Sequence, residues 1–398
     1  MTPQTTLPDG AVARSARADD LPAMMEIETD REGADDAIDL ELVANTSGGL
    51  ELMSVVEHDG RVVSIATLLD ESVRVGGTLL PAGQIEMVAT AKDAEGRGYV
   101  RALMQRCHEL SRARGHVMQV MIGIPNFYRQ FGYTYSIPMH PWATVTPGVQ
   151  MPEGYTVRTA AVDDVATCKA LQDQVQSQFD VAMPHSDECW RWILSHASSK
   201  QTIVLDRAGT AVALARVFSD DGCVDMGEIA ASSTTTTDAL LAYAVSSTSG
   251  DGVARVSVRP HVPGLAERTR DTERTDWYYV RIERPASLFE AMAPELLARL
   301  TGSDLPQGEA LISFWRSHLR LSWDAKQLKV EAGGALQAPV TAGGSGLPLD
   351  ALGSLLFGGG AESLEDRFAD AYLGRQADLM CTLFPAQTAD LLTFYLPS

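Results

Sequence analysis

The stretch Gln84-Ile-Glu-Met-Val-Ala-Thr-Ala-Lys-Asp-Ala-Glu-Gly-Arg-Gly-Tyr-Val-Arg-Ala-Leu103 predicts a strand, a glycine loop and a helix in direct succession. The strand covers residues 84–90, and an amphipathic helix follows over about residues 99–114. Backbone N–H groups at the start of such a helix are unpaired, so they attract an anion with the help of the helix dipole. The pattern therefore predicts a phosphate-binding loop, with an ordinary turn before a surface helix as the alternative.

The composition excludes several classes of partner. The chain has 398 residues, of which 45% are hydrophobic, enough to form several packed cores. Lys and Arg number 32 against 52 Asp and Glu, and the net charge of −20 disfavours nucleic acid and anionic lipid and favours a cationic partner. Residues 1–10 lack the features of a secretory signal, and no apolar run reaches the roughly 20 residues of a membrane helix. We expect a cytoplasmic protein that binds neither nucleic acid nor membrane.

The order of predicted elements repeats once along the chain. Residues 1–150 predict a helix, a hairpin, a strand, the glycine loop, a helix and a strand. Residues 151–285 repeat this order, but Ala-Ser-Ser-Thr-Thr-Thr-Thr at 231–237 predicts a polar loop in place of the glycine loop. Residues 286–398 predict a third unit of α+β type. The pattern indicates a duplicated unit whose second copy is chemically silent.

A second motif follows the next predicted strand and runs Ile124-Pro-Asn-Phe-Tyr-Arg-Gln-Phe-Gly-Tyr133. Together with the glycine loop it resembles the GNAT acetyltransferase superfamily, in which a Gln/Arg-x-x-Gly-x-Gly/Ala loop cradles the pyrophosphate of acetyl-CoA. Residues 95–100 match that loop with Glu95 first and Val100 last, whereas residues 93–98 match it in a register that keeps both glycines. We prefer the first register, because Arg101 and the residues after it then stand where the family's helix has them.

The whole chain resembles a narrower family, the Eis (enhanced intracellular survival) acetyltransferases. Residues 277–286, Trp-Tyr-Tyr-Val-Arg-Ile-Glu-Arg-Pro-Ala, and residues 349–359, Leu-Asp-Ala-Leu-Gly-Ser-Leu-Leu-Phe-Gly-Gly, are similar to the markers of that family's third domain. The resemblance implies a mixed α+β fold with an active GNAT domain at 1–150, a degenerate GNAT domain at 151–285 and a sterol-carrier-protein-like domain at 286–398. It also implies a homohexamer.

The resemblance further implies roles for individual residues. Tyr128 would protonate the departing thiolate, its alternative being a packed aromatic side chain. The general base would be the C-terminal carboxylate of Ser398, on a tail that returns to the active site, with Glu86 as an alternative base. The residues expected at the acetyl-CoA site are Val88, Ala89, Thr90, Gly96, Arg97, Gly98, Tyr99, Val100 and Arg101.

Four carboxylates after the first predicted helix are candidates for attracting a cationic amine, although a solvated acidic surface would explain each of them. They are Asp30, Glu32, Asp35 and Asp36. No metal is expected, because the eight histidines and five cysteines show no metal-ligand spacing.

The expected function is N-acetyl transfer, in which a primary amine of a polyamine-, aminoglycoside- or lysine-like acceptor attacks acetyl-CoA directly. Two alternatives stay open. One is a catalytically silent protein that binds CoA or an apolar ligand, with residues 349–357 lining a cavity. The other is an acyltransferase with a different donor, since Val100, Met118 and Met121 could reshape the thioester end of the site.

Overall fold

The structure is a computed structural model that describes residues 4–196 and 200–395. Within these ranges the strands form three sheets. The strands are β1 Thr5–Thr6, β2 Val12–Ser15, β3 Met53–His58, β4 Arg61–Val75, β5 Thr78–Thr90, β6 Met118–Met121, β7 Thr134–Pro138, β8 Trp142–Val145, β9 Tyr155–Thr159, β10 Val181–Met183, β11 Lys200–Arg207, β12 Thr210–Asp220, β13 Cys223–Ala231, β14 Ala254–Ser257, β15 Thr269–Arg270, β16 Trp277–Arg281, β17 Gly308–Ser313, β18 His318–Trp323, β19 Leu328–Gly333, β20 Ser345–Gly346 and β21 Ala389–Leu391.

The helices flank these sheets, and the mixed α+β fold expected from the sequence is confirmed. They are α1 Leu21–Arg31, α2 Ala34–Ala44, α3 Gly49–Leu52, α4 Tyr99–Ala113, α5 Val165–Gln176, α6 Asp187–Ser195, α7 Thr234–Ser246, α8 Pro285–Thr301, α9 Leu352–Phe357, α10 Leu364–Arg367 and α11 Ala377–Leu383. The helix expected over 99–114 is α4, and the turn between β3 and β4 is the expected hairpin turn. No helix within the described ranges is both long and apolar enough to cross a membrane.

The first two sheets exchange strands. The first sheet has the order β1-β2-β3-β4-β5-β6-β16-β7, with β10 paired to β4 and β21 paired to β10. The second sheet has the order β15-β8-β14-β13-β12-β11-β9. Strand β8 therefore leaves the first stretch of chain for the second sheet, and β16 returns from the second stretch to fill the gap between β6 and β7. The domain boundaries at residues 150 and 285 stay a prediction. Strands from both sides of each boundary pair within the same sheet.

The second sheet repeats the backbone of the first at two irregular points. Strand β5 bulges opposite β4, where Met87 has a φ of 53°, and β13 bulges opposite β12, where Glu228 has a φ of 51°. After the next strand, Asn126 and His261 each follow a proline and have φ values of 65° and 64°. Residues other than glycine rarely adopt such φ values, so the recurrence of these values supports a duplicated unit.

One element of the second copy differs from the expectation. Residues 231–237 were expected to form a polar loop, but Thr234 already begins α7. The reason is local: Oγ of Ser233 accepts a hydrogen bond from the backbone N–H of Thr236 at 3.2 Å, and Thr236 Oγ1 accepts from Ser233 N–H at 3.1 Å. This reciprocal capping satisfies the N–H groups that the glycine loop of the first copy leaves open.

The third sheet, in the order β19-β18-β17-β20, packs with α8, α9 and α11 in a core that it shares with strands of the first sheet. Every residue of Leu352–Phe357 is buried there. The contact with the first sheet is close, since a Cβ on Gly353 would lie 2.3 Å from Oγ of Ser136 on β7. Residues 352–357 therefore act as packing between the third sheet and the first.

Strand β4 carries a buried carboxyl group in unusual surroundings. Glu71 is buried, and its Oε2 has no hydrogen-bond partner among residues 4–196 and 200–395. Burial raises the pKa of Glu71 to about 8, and the nearby charges of Asp70 and Glu86 add to the effect. Glu71 is therefore protonated in the folded chain at neutral pH.

We expect Glu71→Gln to stabilise the protein increasingly as the pH rises. Between the ordinary Glu pKa of about 4.3 and the folded value of about 8, the unfolded chain has lost this proton and the folded chain has kept it. The native protein therefore loses stability with rising pH, by at most about 1.4 kcal/mol per pH unit, and glutamine removes that loss. Thermal unfolding of both proteins from pH 5 to pH 9 measures it, and the difference levels off above pH 8.

The control is Glu331→Gln, which changes an exposed carboxylate on β19. Its stability difference from the native chain is expected to stay flat over the same range. A difference for Glu71→Gln that is equally flat would contradict a protonated Glu71.

Candidate active site

The site begins where β5 separates from β6. The two strands pair in parallel only from Ala82 to Gln84, and β5 continues to Thr90 without β6 beside it. In the same stretch the bulge sets Met87 and Val88 against the single residue Ala66 of β4. One edge of β5 therefore opens into a cleft, and its side chains turn into two adjoining cavities.

The larger cavity has a volume of about 400 Å³ and extends from β5 to the start of α4. Gly96 and Gly98 have φ values of 75° and 83°, and a Cβ on either would meet open space, so these glycines are required by the turn and not by crowding. Gly98 stands at the N-cap of α4 and provides no side-chain cap. The first N–H groups of this 15-residue helix therefore point at the cavity as an anion site.

Most of the residues that the sequence assigned to acetyl-CoA line this cavity. They are Val88, Ala89, Thr90, Gly96, Gly98, Tyr99, Val100 and Arg101. Arg97 lies outside the lining and donates a hydrogen bond to the Asp93 carbonyl at 3.4 Å. Arg101 is held by Gln130 Oε1 at 2.6 Å and lies over the ring of Phe131.

The acidic Glu95, which departs from the GNAT loop pattern, is paired within the site. Its carboxylate lies 2.8 Å from Nη2 of Arg31, at the end of α1, and both residues line the larger cavity. The pair offsets a charge that would repel a phosphate, and it attaches the loop to α1.

Tyr128 lies where the two cavities meet. It belongs to a short 3₁₀ helix, Phe127–Phe131, and packs edge-on against Phe127 and Tyr279. Gly123 makes room for its ring, because a Cβ there would lie 2.4 Å from Cε2 of Tyr128. Burial raises the pKa of Tyr128, and the charges of Glu86 and Glu32 raise it further, so the phenol keeps its proton at neutral pH.

The smaller cavity has a volume of about 250 Å³ and an acidic wall. Four carboxylates line it: Glu28, Glu32, Asp36 and Glu86. Four residues line both cavities, so the two form one continuous space: Glu32, Val88, Ile124 and Tyr128. Of the acidic candidates from the sequence, Glu32 and Asp36 reach this wall, whereas Asp30 pairs with Lys92 at 2.9 Å and Asp35 is not in the lining.

Glu86 is held by its own strand and by a distant part of the chain. Its Oε1 accepts a hydrogen bond from Nε2 of Gln84, and Oε1 of Gln84 accepts from the backbone N–H of Phe394 at 3.4 Å. The next residue, Tyr395, lines the acidic cavity. Ser398, the predicted base, lies outside the described residues.

Sequence reasoning missed four lining residues with polar side chains: Glu28, Arg31, Gln130 and Tyr395. A signal for Glu28 exists, since it shares a helix face with the buried Met24 and Ile27, where a carboxylate is unusual. No local pattern marks Tyr395, because only the fold brings it to the cavity. Within the described ranges no group of His, Cys, Asp and Glu side chains is arranged to hold a metal ion.

Comparison with known proteins agrees with this geometry. The family model of the GNAT acetyltransferase domain matches residues 28–136. These residues include strand β5, the glycine loop and Tyr128. No curated protein matches the sequence.

Solved structures match over nearly the whole chain. A GCN5-related N-acetyltransferase from Kribbella flavida is 15% identical, with a TM-score of 0.69 over 97% of this chain and 100% of its own. A GCN5-related N-acetyltransferase from Anabaena variabilis is 14% identical, with a TM-score of 0.70 over 96% and 98%. Eis1 from Mycobacterium abscessus is 13% identical, with a TM-score of 0.60 over 96% and 99%.

At these identities the structural matches show the fold, and the domain match shows the family of residues 28–136. Together they support an N-acetyltransferase, as the resemblance implied. The chain thus carries a GNAT acetyltransferase domain within the Eis-like fold of the GCN5-related N-acetyltransferases.

Proposed function

We propose that the protein transfers the acetyl group of acetyl-CoA to a primary amine, which attacks the thioester directly. One observation carries the proposal: a cavity with an open helix N-terminus and a cavity with four carboxylates meet at Tyr128. The first has the chemistry for a diphosphate and the second for a cation. A reaction between an anionic thioester and a cationic amine needs these two sites side by side.

The larger cavity is the proposed acetyl-CoA site. The pyrophosphate would lie against the N–H groups at the start of α4, with Arg101 adding a positive charge. The pantetheine arm would pair with the open edge of β5 at Val88, Ala89 and Thr90. Arg97 is a weaker candidate for direct contact, because it lies outside the lining.

The smaller cavity is the proposed acceptor site. Carboxylates on its wall attract an ammonium group, and the net charge of −20 favours the approach of cations from solution. Its acidic wall suits polyamine-, aminoglycoside- or lysine-like amines. The sterol-carrier-like third domain, the domain ranges and the hexamer implied by the resemblance remain parts of this proposal.

The proposed reaction moves three protons. A base takes one proton from the ammonium group, and the amine nitrogen then forms a bond to the thioester carbonyl carbon. The C–S bond breaks as Tyr128 donates its phenolic proton to the departing thiolate of CoA, and the second proton released by the nitrogen returns through solvent to the phenolate. The proposed base is the carboxylate of Ser398, with Glu86 as the alternative. What supports Ser398 is that Tyr395 lines the acceptor cavity, and three further residues span up to about 10 Å.

We expect Tyr128→Phe to lower kcat for acetyl transfer by about 100-fold or more, because the thiolate then leaves without its proton donor. The measurement is thiol release from acetyl-CoA with a panel of polyamines and aminoglycosides. Acetyl-CoA binding should persist in the variant.

The matched control is Tyr133→Phe, which removes a hydroxyl that hydrogen-bonds to Gln119 within the same aromatic cluster. It should retain most of the activity. Equal activity of Tyr128→Phe and the native chain would reject the acid role. An absence of thiol release with every amine, together with undetectable acetyl-CoA binding, would reject the enzyme and favour a silent binding protein.

A second prediction identifies the base. Deletion of residues 396–398 should reduce amine-dependent thiol release by about 100-fold and leave acetyl-CoA binding unchanged, since the deletion moves the terminal carboxylate from Ser398 back to Tyr395. Glu86→Gln serves as the competing variant, and Glu71→Gln is its control because Glu71 lies outside the cavity lining. The base is Glu86 if Glu86→Gln removes the fall in the rate of thiol release at acidic pH and the deletion does not.

A third comparison addresses the donor. We expect acetyl-CoA to give a higher kcat/KM than propionyl-CoA with the same amine, because Tyr128 and Ile124 confine the junction of the two cavities. Steady-state rates with both donors measure this. A preference for propionyl-CoA would support the alternative acyl donor.

A further inference from the structure

Residues 389–395, here called the tail segment, cross the second unit before they reach the acceptor cavity. The segment begins with β21, which pairs in parallel with β10. Asp390 is fully buried and accepts hydrogen bonds from Nε and Nη2 of Arg259 at 2.9 and 2.7 Å, and His140 lies 2.9 Å from the same carboxylate. Burial alone would raise the pKa of Asp390, but Arg259 and His140 outweigh it and hold the pKa well below its usual range.

A second arginine holds the far end of the tail segment. Nη1 of Arg216 donates to the carbonyl oxygen of Thr393 at 3.1 Å, and Nη2 donates to that of Phe394 at 2.8 Å. Arg216 is itself held by Glu228 at 2.9 Å, and Glu228 also contacts His185 at 3.0 Å. All of these polar groups lie in the protein interior, where a charged hydrogen bond is strong and a lost partner is costly.

Arg259 stands at the second copy's counterpart of a cavity-lining position, and Arg216 stands on the strand that pairs with the bulge. In the second sheet Arg216 pairs with Gly227, the residue just before the bulge at Glu228. In the first sheet Thr67 pairs in the same way with Glu86, just before the bulge at Met87. Arg259 precedes the strained His261 by two residues, as Ile124 precedes the strained Asn126.

In the first copy the corresponding region is open to ligands, and Glu86, Met87 and Ile124 line its cavities. In the second copy the guanidinium of Arg259 reaches the strand across this gap, donating to the Ile229 carbonyl at 2.8 Å and to Gln172 at 2.6 Å. The strained backbone is kept, but the region holds a peptide segment of the same chain.

The tail segment leads from this region to the acceptor cavity. The N–H of Phe394 binds Oε1 of Gln84, so the amide of Gln84 must present its NH₂ group to Glu86. Tyr395 then forms part of the cavity wall. A continuous set of contacts thus runs from Arg216 through Phe394 and Gln84 to the carboxylate of Glu86.

We infer that the second copy is a clamp for the tail segment, with Arg216 and Arg259 as positioning residues for the acceptor side of the reaction. The region of this copy that corresponds to the acceptor cavity holds residues 390–394 instead of a substrate. It thereby orients Gln84 and Glu86 and sets the cavity wall at Tyr395. This inference rests on the proposed function for its effect on amines, but the clamp itself is a structural arrangement that can be measured without turnover.

The first test uses Arg216→Lys, which keeps a cation for Glu228 but cannot bind both tail carbonyls. We expect hydrogen exchange of residues 391–395 to accelerate at least tenfold and kcat/KM for the amine to fall at least tenfold, with the affinity for acetyl-CoA within twofold of the native chain. Arg158→Lys is the control, because Arg158 makes its ion pairs with Asp164 and Asp206 near the surface of the same unit. It should change neither readout.

Unchanged tail exchange in Arg216→Lys would overturn the clamp, and faster exchange with native amine kinetics would overturn the positioning role. If the native chain transfers no acetyl group, the proposed function fails. Hydrogen exchange of the tail segment still tests the clamp in that case. Should Arg216→Lys not fold, the native chain provides the test: the amides of Leu392 and Phe394 bind Met183 and Gln84 and should exchange as slowly as those of β13. Rapid exchange there would also overturn the inference.

Discussion

The departure of β5 from β6 is the constraint on which the rest of the site depends. Parallel strands that stay paired leave no room for a ligand between them, whereas here the pairing ends at Gln84 and the bulge at Met87 turns the strand. The open edge becomes one wall of a cleft, and the bulge sends neighbouring side chains into both cavities. The strained φ of Met87 is stable because β4 pairs on both sides of the bulge and fixes the strand in place.

The same bulged backbone occurs in both sheets, with different side chains around it. In the first copy the space beside the bulge is lined by carboxylates and two tyrosines and stays open. In the second copy arginines bind the tail segment there, and the loop before α7 is capped by its own hydroxyl groups. The same backbone geometry thus occurs twice, and the side chains around it differ between a cavity and a part of the chain itself.

The sequence predicted the local parts of this structure well. Strand β5, the turn at Gly96 and Gly98 and the start of α4 are encoded by neighbouring residues, so pattern and backbone preference suffice to find them. Their likeness to the GNAT loop also identified Tyr128, which the structure brings to the junction of the cavities. The mixed α+β class was implied by the resemblance to the Eis family, which rests on equally local motifs.

The parts that were missed depend on pairing between distant residues. Arg31 and Glu95 meet only because α1 packs beside the loop, and Arg97, adjacent to the loop glycines, turns back toward Asp93. The start of α7 was taken for a loop because four successive threonines favour neither state strongly, and Ser233 decides between them through a cap.

The exchange of β8 and β16 has a consequence for the order in which the chain is made. Strand β6 emerges early during translation, but its neighbour β16 is synthesised only after the strands of the second sheet. Until residue 281 has left the ribosome, β6 and β7 each keep an open edge. Unpaired edges of this kind invite association with other chains, so this interval exposes the nascent protein to aggregation. The two sheets mature together, as one folding unit, although their sequences are consecutive.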